Sequence, residues 1–181
     1  MQTLSGVHIR IPPEASETRA VIPMGPERVR GAANVYIWAD ALHELVRAAK
    51  RRPTVMQAAC LLGNLCAGPG ERFVEVRGYM DLDRYDDPLD FARNINDEWT
   101  TLNNRARRMG EGMNLLGWAC MRAEDTPLAR DIQLAHRSFF NLPFQLFLSI
   151  DPENEEVALY GFDETSHLVQ VGFQLVVDQP N

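Results

Sequence analysis

The residue types that most often bind metals or act as nucleophiles are few in this sequence and widely spaced. The histidines and cysteines are His8, His43, His136, His167, Cys60, Cys66 and Cys120. None of them forms a CxxC pair or two histidines at metal-ligand spacing. Asp131 and His136 fall on one predicted helix, but a separation of five residues turns their side chains apart. We therefore predict that His136 is structural and that the three cysteines are buried thiols.

Five aspartates are concentrated in the segment Tyr79–Asp90, at positions 81, 83, 86, 87 and 90. Carboxylates in such a run suggest calcium, but the run lacks the EF-hand spacing and its closing glutamate. Asp87 instead precedes Pro88, which is the usual order of an N-cap and a first helical residue. We interpret the run as a loop that ends in a helix cap. The sequence also contains no GxGxxG and no P-loop, so a nucleotide site is not predicted.

The composition is that of an ordinary globular domain. The chain has 181 residues, of which 45% are hydrophobic and 24% are charged. Its net charge of −7 argues against a nucleic-acid-binding protein, which usually has a basic surface. No apolar run approaches the roughly 20 residues of a membrane span, and the first residues have no signal-peptide core. We therefore expect a cytoplasmic protein that binds neither nucleic acid nor membrane.

The first 33 residues differ from the remainder of the chain. They contain four prolines, at positions 12, 13, 23 and 26, and show no sustained hydrophobic period. This predicts an N-terminal extended arm or linker at residues 1–33, followed by one domain at residues 34–181. Within the arm, Val7–Ile11 has the composition of a short edge strand.

The rest of the sequence predicts the order β-α-β-β-α-β-α-β-β-β. The first strand is Val35–Trp38, and Asp40 is the expected N-cap of the helix that follows. A continuous apolar run at Val55–Cys66 predicts a strand buried on both faces. One long helix is expected to begin after Asp87 and to end at Gly110. This order favours an α/β protein of the α+β type, with a mixed sheet and helices packed on it.

Four short segments, read in order, resemble a known family. They are Val35-Tyr36-Ile37, Leu61-Leu62-Gly63, Leu115-Leu116-Gly117-Trp118, and Pro143 and Gln145 followed by Ile150-Asp151-Pro152. Between Val35 and Phe162 the sequence resembles the MPN domain, the fold of the JAMM (JAB-like) zinc metalloproteases. The resemblance implies an MPN-like, curved mixed β-sheet flanked by helices.

The resemblance also implies where zinc chemistry would lie and that it is absent. In the family, an HxH pair and the aspartate of an SxxD motif bind zinc, and a glutamate activates the zinc-bound water. At the matching positions this chain has Cys120 and Arg122 for the histidines, Leu128 for the serine and Met56 at or near the glutamate. The aspartate is kept as Asp131. Because an arginine cannot ligate a metal, no metal, no cofactor and no catalysis are expected.

We predict that Arg122 and Asp131 form an ion pair that fills the emptied metal pocket. The function that follows is a non-catalytic protein-binding or scaffold module within a larger complex. By resemblance its partner is a catalytic MPN relative or a ubiquitin-like protein, in a hetero- or homo-oligomer. Candidate interface residues are Trp38, Tyr79 and Tyr85. Two alternatives remain open: a divergent JAB-family hydrolase or isopeptidase with a non-standard site, and a structural subunit with an unrelated α/β fold.

Overall fold

A sheet of mixed strand direction, with helices on both faces, forms the body of the protein. The computed structural model describes residues 7–51, 57–81, 88–110, 112–121 and 130–179. Its strands are β1 His8–Ile9, β2 Arg19–Met24, β3 Asn34–Trp38, β4 Gln57–Gly68, β5 Glu71–Asp81, β6 Asn114–Met121, β7 Leu146–Asp151, β8 Glu156–Phe162, β9 Leu168–Val171 and β10 Phe173–Asp178. Its helices are α1 Ala39–Lys50, α2 Pro88–Asp97, α3 Trp99–Met109 and α4 Arg130–Phe139. The predicted α/β class is confirmed.

The sheet curls because two consecutive strands, β9 and β10, lie at or near its opposite ends. The strand order is β2-β10-β3-β5-β4-β6-β7-β8-β9, and β1 pairs in parallel with the end of β4. Only Gly172 separates β9 from β10, although β9 pairs with β8 and β10 lies between β2 and β3. The chain therefore crosses at Gly172 from one end of the sheet to the other. A Cβ atom at this position would lie 2.2 Å from the carbonyl oxygen of Pro26, so glycine is required there.

Each face of the sheet has its own hydrophobic core. Alternate residues of β4, Ala58, Cys60 and Leu62, contribute to a core under α2, α3 and α4, which we call the three-helix cluster. The intervening residues Ala59 and Leu61 contribute to a second core with α1, which we call the α1 cluster. Full burial of an aliphatic or aromatic side chain stabilises the fold by roughly 1.5–3 kcal/mol. Both clusters therefore hold helices firmly against the sheet.

The helices begin and end at positions that differ in part from the predictions. The expected long helix is divided into α2 and α3 at Glu98, just after the weak helix formers Asn96 and Asp97. Helix α1 has Trp38 at its N-cap position, without a side-chain cap. Asp40 lies instead in the first turn, where a carboxylate favours the positive end of the helix dipole. With 12 residues, α1 is the longest described helix, and none of these helices is long and apolar enough to cross a membrane.

Part of the segment predicted as an arm is built into the sheet. Strand β2 pairs with β10 in antiparallel register over six residues, from Arg19 opposite Asp178 to Met24 opposite Phe173. Strand β1 lies within the expected edge strand Val7–Ile11 and pairs with Cys66 and Ala67 of β4. The arm residues therefore contact the body of the protein through backbone hydrogen bonds as well as side chains.

A bulge in β6 sets which side chains reach each core. Leu61 of β4 pairs with Gly117, whereas the next residue, Leu62, pairs with Leu115, so Leu116 is the extra residue. As a result, Leu115 faces the three-helix cluster and Leu116 faces the α1 cluster. Gly117 has a φ of 153°, and a Cβ atom there would lie 1.9 Å from the carbonyl oxygen of Leu146 on β7. Only glycine fits this approach of two strands.

We predict that Gly117→Ala strongly destabilises the fold. The added methyl group must push β6 and β7 apart, which should lower the free energy of unfolding by roughly 3 kcal/mol. The control is Gly78→Ala on β5, where an added Cβ atom meets no other atom within 4 Å. Urea denaturation should leave this control within about 0.5 kcal/mol of the wild type. Equal stabilities for the two variants would contradict the steric role of Gly117.

Candidate functional site

Cys120 and Asp131 are the two positions of the expected zinc site that lie in described residues. Cys120 lies on β6 between Ala58 of β4 and Ser149 of β7. Its side chain belongs to the three-helix cluster and is 1% exposed. Asp131 is half-buried in the first turn of α4, where its Oδ1 atom accepts a hydrogen bond of 2.8 Å from the Ile132 amide. Cys120 is thus a core residue, and Asp131 contributes to the beginning of its helix.

Three further positions of the expected zinc site and one predicted interface residue lie outside the described residues. They are Met56, Tyr85, Arg122 and Leu128. The ion pair between Arg122 and Asp131 accordingly stays a prediction. Within the described ranges, no three histidine, cysteine, aspartate or glutamate side chains are grouped closely enough to hold a metal ion.

The three cysteines are free thiols buried in the core. Burial raises the pKa of the Cys60 thiol, and it raises the pKa of Cys66 to about 11, with a further increase from the neighbouring Glu75 carboxylate. Both thiols therefore stay protonated near neutral pH, whereas a nucleophilic cysteine needs the thiolate. Cys60 and Cys66 are consequently structural side chains.

His136 lies at the centre of the three-helix core, against the strand that carries Cys120. Its ring is fully buried, and Nδ1 accepts a hydrogen bond of 3.1 Å from the indole nitrogen of Trp118. The rings of Phe140 and Phe162 lie with their centroids 5.7 and 5.2 Å from the imidazole. Since Nδ1 accepts, the neutral ring carries its proton on Nε2, which has no hydrogen-bond partner among the described residues. Burial lowers the pKa of His136 to about 3.

A contact between Thr165 and His167 looks at first like a nucleophile and its base. The Thr165 hydroxyl lies 2.7 Å from His167 Nδ1 and donates to Asp163 Oδ1, also at 2.7 Å. Hydrogen bonds from the His167 backbone amide and the Thr165 hydroxyl lower the pKa of Asp163. Its carboxylate is therefore ionised and accepts the hydrogen bond that the hydroxyl donates. The imidazole then donates to the threonine oxygen and cannot act as its base. The contact closes the exposed turn between β8 and β9.

Two of the predicted interface residues have intramolecular contacts. The Trp38 ring lies under the guanidinium of Arg77, with 3.4 Å between the Arg77 Cζ atom and the ring centroid. Tyr79 is half-buried against the α1 cluster. Neither aromatic ring is freely presented to solvent.

Among the described residues, the two most exposed large apolar side chains, Ile9 and Ile11, lie on the arm. Val7, Ile9 and Ile11, which we call the arm row, are 49%, 92% and 73% exposed. The residues between them point toward the protein: His8 Nε2 lies 3.4 Å from the Gly112 carbonyl, and Arg10 forms an ion pair of 3.3 Å with Glu75. The sequence shows that apolar and polar residues alternate along Val7–Ile11. It does not show which set faces the protein, because nothing local indicates that Arg10 points inward.

One backbone edge of β1 is also left without a described strand. The Arg10 amide donates to the Ala67 carbonyl at 3.1 Å, which directs the hydrogen-bonding groups of His8 and Arg10 toward β4. Those of Ile9 alternate with them and point away from β4. In the part of the chain that the structure describes, β1 pairs with β4 alone. The arm therefore presents an apolar row and an open strand edge together.

No family model matches the chain, and no curated protein is significantly similar to it. The functional interpretation depends on the residues themselves.

The buried imidazole generates a prediction for stability against pH. In the unfolded chain His136 takes up a proton below about pH 6.5, whereas in the folded protein it does so only near pH 3. Its contribution to stability is therefore complete above pH 6.5 and falls by about 1.4 kcal/mol per pH unit below that value. We expect His136→Phe to remove this dependence. The wild type should lose roughly 2 kcal/mol relative to this variant between pH 7 and pH 5.

Urea denaturation at the two pH values measures the difference. His136→Phe also leaves the Trp118 indole without its acceptor, but that loss applies at both pH values and cancels in the comparison. His43→Gln, at an exposed position on α1, controls for the loss of an imidazole as such. A stability difference between wild type and His136→Phe that is the same at pH 7 and pH 5 would show that the imidazole is not held neutral by burial.

Proposed function

We propose that this protein is a non-catalytic protein-binding module that binds its partner through the arm row on β1. The observation that supports this most directly is the placement of Val7, Ile9 and Ile11. Single exposed apolar residues are common on protein surfaces, but these three occupy alternate positions within five consecutive residues, with the short strand β1 among them. Such a row, next to an open strand edge, is typical of surfaces that receive an extended segment of another protein.

The exposure of these side chains gives the folded monomer no stabilisation. An isoleucine buried from this position would gain roughly 1.5–3 kcal/mol, and the arm row offers two of them. The inward contacts of His8 and Arg10 fix the strand, so little conformational entropy remains to be lost when a partner binds. Both features favour association through this surface.

We further propose that the module is MPN-like. The order of elements supports this, since β3-α1-β4-β5, then helices, β6, α4 and β7 follow the order on which the sequence resemblance depends. The non-catalytic part of the proposal rests on Cys120 and Arg122, which replace the family's two histidine ligands, and on Met56, at or near the position of the glutamate that activates water. The partners implied by the resemblance are a catalytic MPN relative and a ubiquitin-like protein.

The binding proposal predicts that the double variant Ile9→Ser/Ile11→Ser loses its partner. Tagged wild-type chain, expressed in its own cells, should retain one stoichiometric protein whose identity is read by mass spectrometry. The double variant should retain about tenfold less of it, because both apolar anchors are gone. Substitutions at such exposed positions should change the free energy of unfolding by no more than about 0.5 kcal/mol.

The matched control is Leu134→Ser, which removes a 53% exposed leucine from α4. It should bind as the wild type does. Retention of the same partner by the double variant, or the absence of any stoichiometric partner from the wild type, would contradict the proposal. Sedimentation of the purified chain adds a further test. Reversible dimerisation that disappears in the double variant would identify the partner as a second copy of this chain.

The non-catalytic proposal predicts that zinc is substoichiometric in the purified protein. Metal content is measured by mass spectrometry after dialysis against zinc, and again for Asp131→Asn, which removes the one family ligand that is kept. Both proteins should contain the same trace of zinc, because one carboxylate without its two histidines binds zinc weakly. One zinc per chain in the wild type, lost in Asp131→Asn, would overturn this part and favour a divergent hydrolase.

A further inference from the structure

A small cavity lies where the arm crosses the sheet beyond the three helices. It has a volume of about 390 Å³. Its lining comes from the arm and from β3 and β5: Arg10, Ile11, Pro12, Pro13, Glu14, Arg19, Trp38, Glu75 and Arg77. Three of these side chains are arginines and two are glutamates. The volume is within the range of small-molecule sites.

Two guanidinium groups in this cavity share one buried carboxylate. The Oε2 atom of Glu75 accepts from Arg10 at 3.3 Å and from two nitrogens of Arg77 at 3.3 and 3.2 Å. Glu75 is only 2% exposed, whereas Arg10 is 40% and Arg77 is 29% exposed. One arginine is enough to neutralise Glu75. The second guanidinium is therefore not needed to neutralise Glu75, and both arginines are partly accessible to solvent.

The guanidinium of Arg77 is held in place on two sides. Glu75 binds its edge, and the Trp38 ring covers its face at 3.4 Å. A guanidinium fixed in this way loses little rotational freedom when it binds a further group, and its remaining donors keep a defined direction. Arg10 gives one hydrogen bond to Glu75, so it also retains donors for a ligand.

We propose that this cavity binds a carboxylate group through Arg10 and Arg77. Charge selects the class of ligand. Arg19 is already paired with Asp178 at 2.6 Å, and the exposed Glu14 also lines the cavity, so the three arginines are balanced in number by three carboxylates. That balance suits a monoanion better than a phosphate dianion. The planar fork of a guanidinium also matches the two oxygens of a carboxylate.

The test is a titration of the full-length chain, followed by the NMR signals of the arginine Nε–H groups and the Trp38 indole. N-acetylglycine, which has a terminal carboxylate, should give saturable shifts at Arg10, Arg77 and Trp38. Its amide, N-acetylglycinamide, should give none. Inorganic phosphate should bind more weakly than N-acetylglycine. Equal responses to the acid and the amide, or tighter binding of phosphate, would overturn the proposal.

Arg10→Gln supplies the second measurement, because Arg77 still neutralises Glu75 in this variant. We expect its affinity for N-acetylglycine to fall by about tenfold, since a charge-assisted hydrogen bond is lost. Arg93→Gln is the control, at a 66% exposed arginine that pairs with Asp90 on α2. It should bind as the wild type does. An unchanged affinity in Arg10→Gln would show that the arginines only fasten the arm.

Two further probes identify the source of the carboxylate. N-acetylaspartylamide has a side-chain carboxylate but no terminal one, and acetate represents a free small acid. Tighter binding of N-acetylglycine indicates the end of a peptide chain, and tighter binding of N-acetylaspartylamide indicates an acidic side chain. This inference does not depend on the arm row, because Arg10 points to the other side of β1 from Ile9.

Discussion

Burial of β6 on both faces is the constraint on which the rest of the structure depends. All eight of its residues are buried, so no polar side is available and both faces must be covered by helices. Its side chains are therefore divided between two cores. The extra residue Leu116 shifts the register with β4 by one residue just before Gly117. Trp118, directly after the bulge, then faces α4 and hydrogen-bonds His136. A wider separation of β6 from β7 would displace Trp118 and break its hydrogen bond to His136, which positions α4.

The Trp118–His136 pair is a polar contact inside an apolar core, and it favours a unique arrangement more than it favours stability. One hydrogen bond satisfies the indole and one nitrogen of the imidazole, while Nε2 has no described partner. Leaving a buried donor without a partner costs about 1–3 kcal/mol. An apolar pair would avoid that cost but would lack the directional hydrogen bond between α4 and β6. The same burial removes His136 from acid–base chemistry at neutral pH.

Local patterns were sufficient to predict the class of the fold and much of its second core. Alternation along Leu168–Val177, which the sequence predicts as one strand, places Val169, Val171, Phe173, Leu175 and Val177 on one face, and the first four of them contact the α1 cluster. The break at Gly172 was not predicted, because the alternation of residues continues through it. The break is visible only from the pairing, since β9 pairs with β8 whereas β10 pairs with β2 and β3. The site was less predictable still. Arg10 and Glu75 are 65 positions apart, and a buried glutamate has no signature in the sequence.

The polarity of the arm is the reverse of an ordinary edge strand, where apolar side chains point inward and charged ones outward. The contact that goes with this polarity is the one to Glu75, whose buried carboxylate is neutralised by Arg77 and accepts a further charge-assisted hydrogen bond from Arg10. Arg10 reaches it only if even-numbered arm residues face the protein. Shifting β1 by one residue would bury Ile9 and expose Arg10, since side chains alternate along a strand. The register that supplies a second cation to Glu75 is therefore the one that presents the apolar row to solvent.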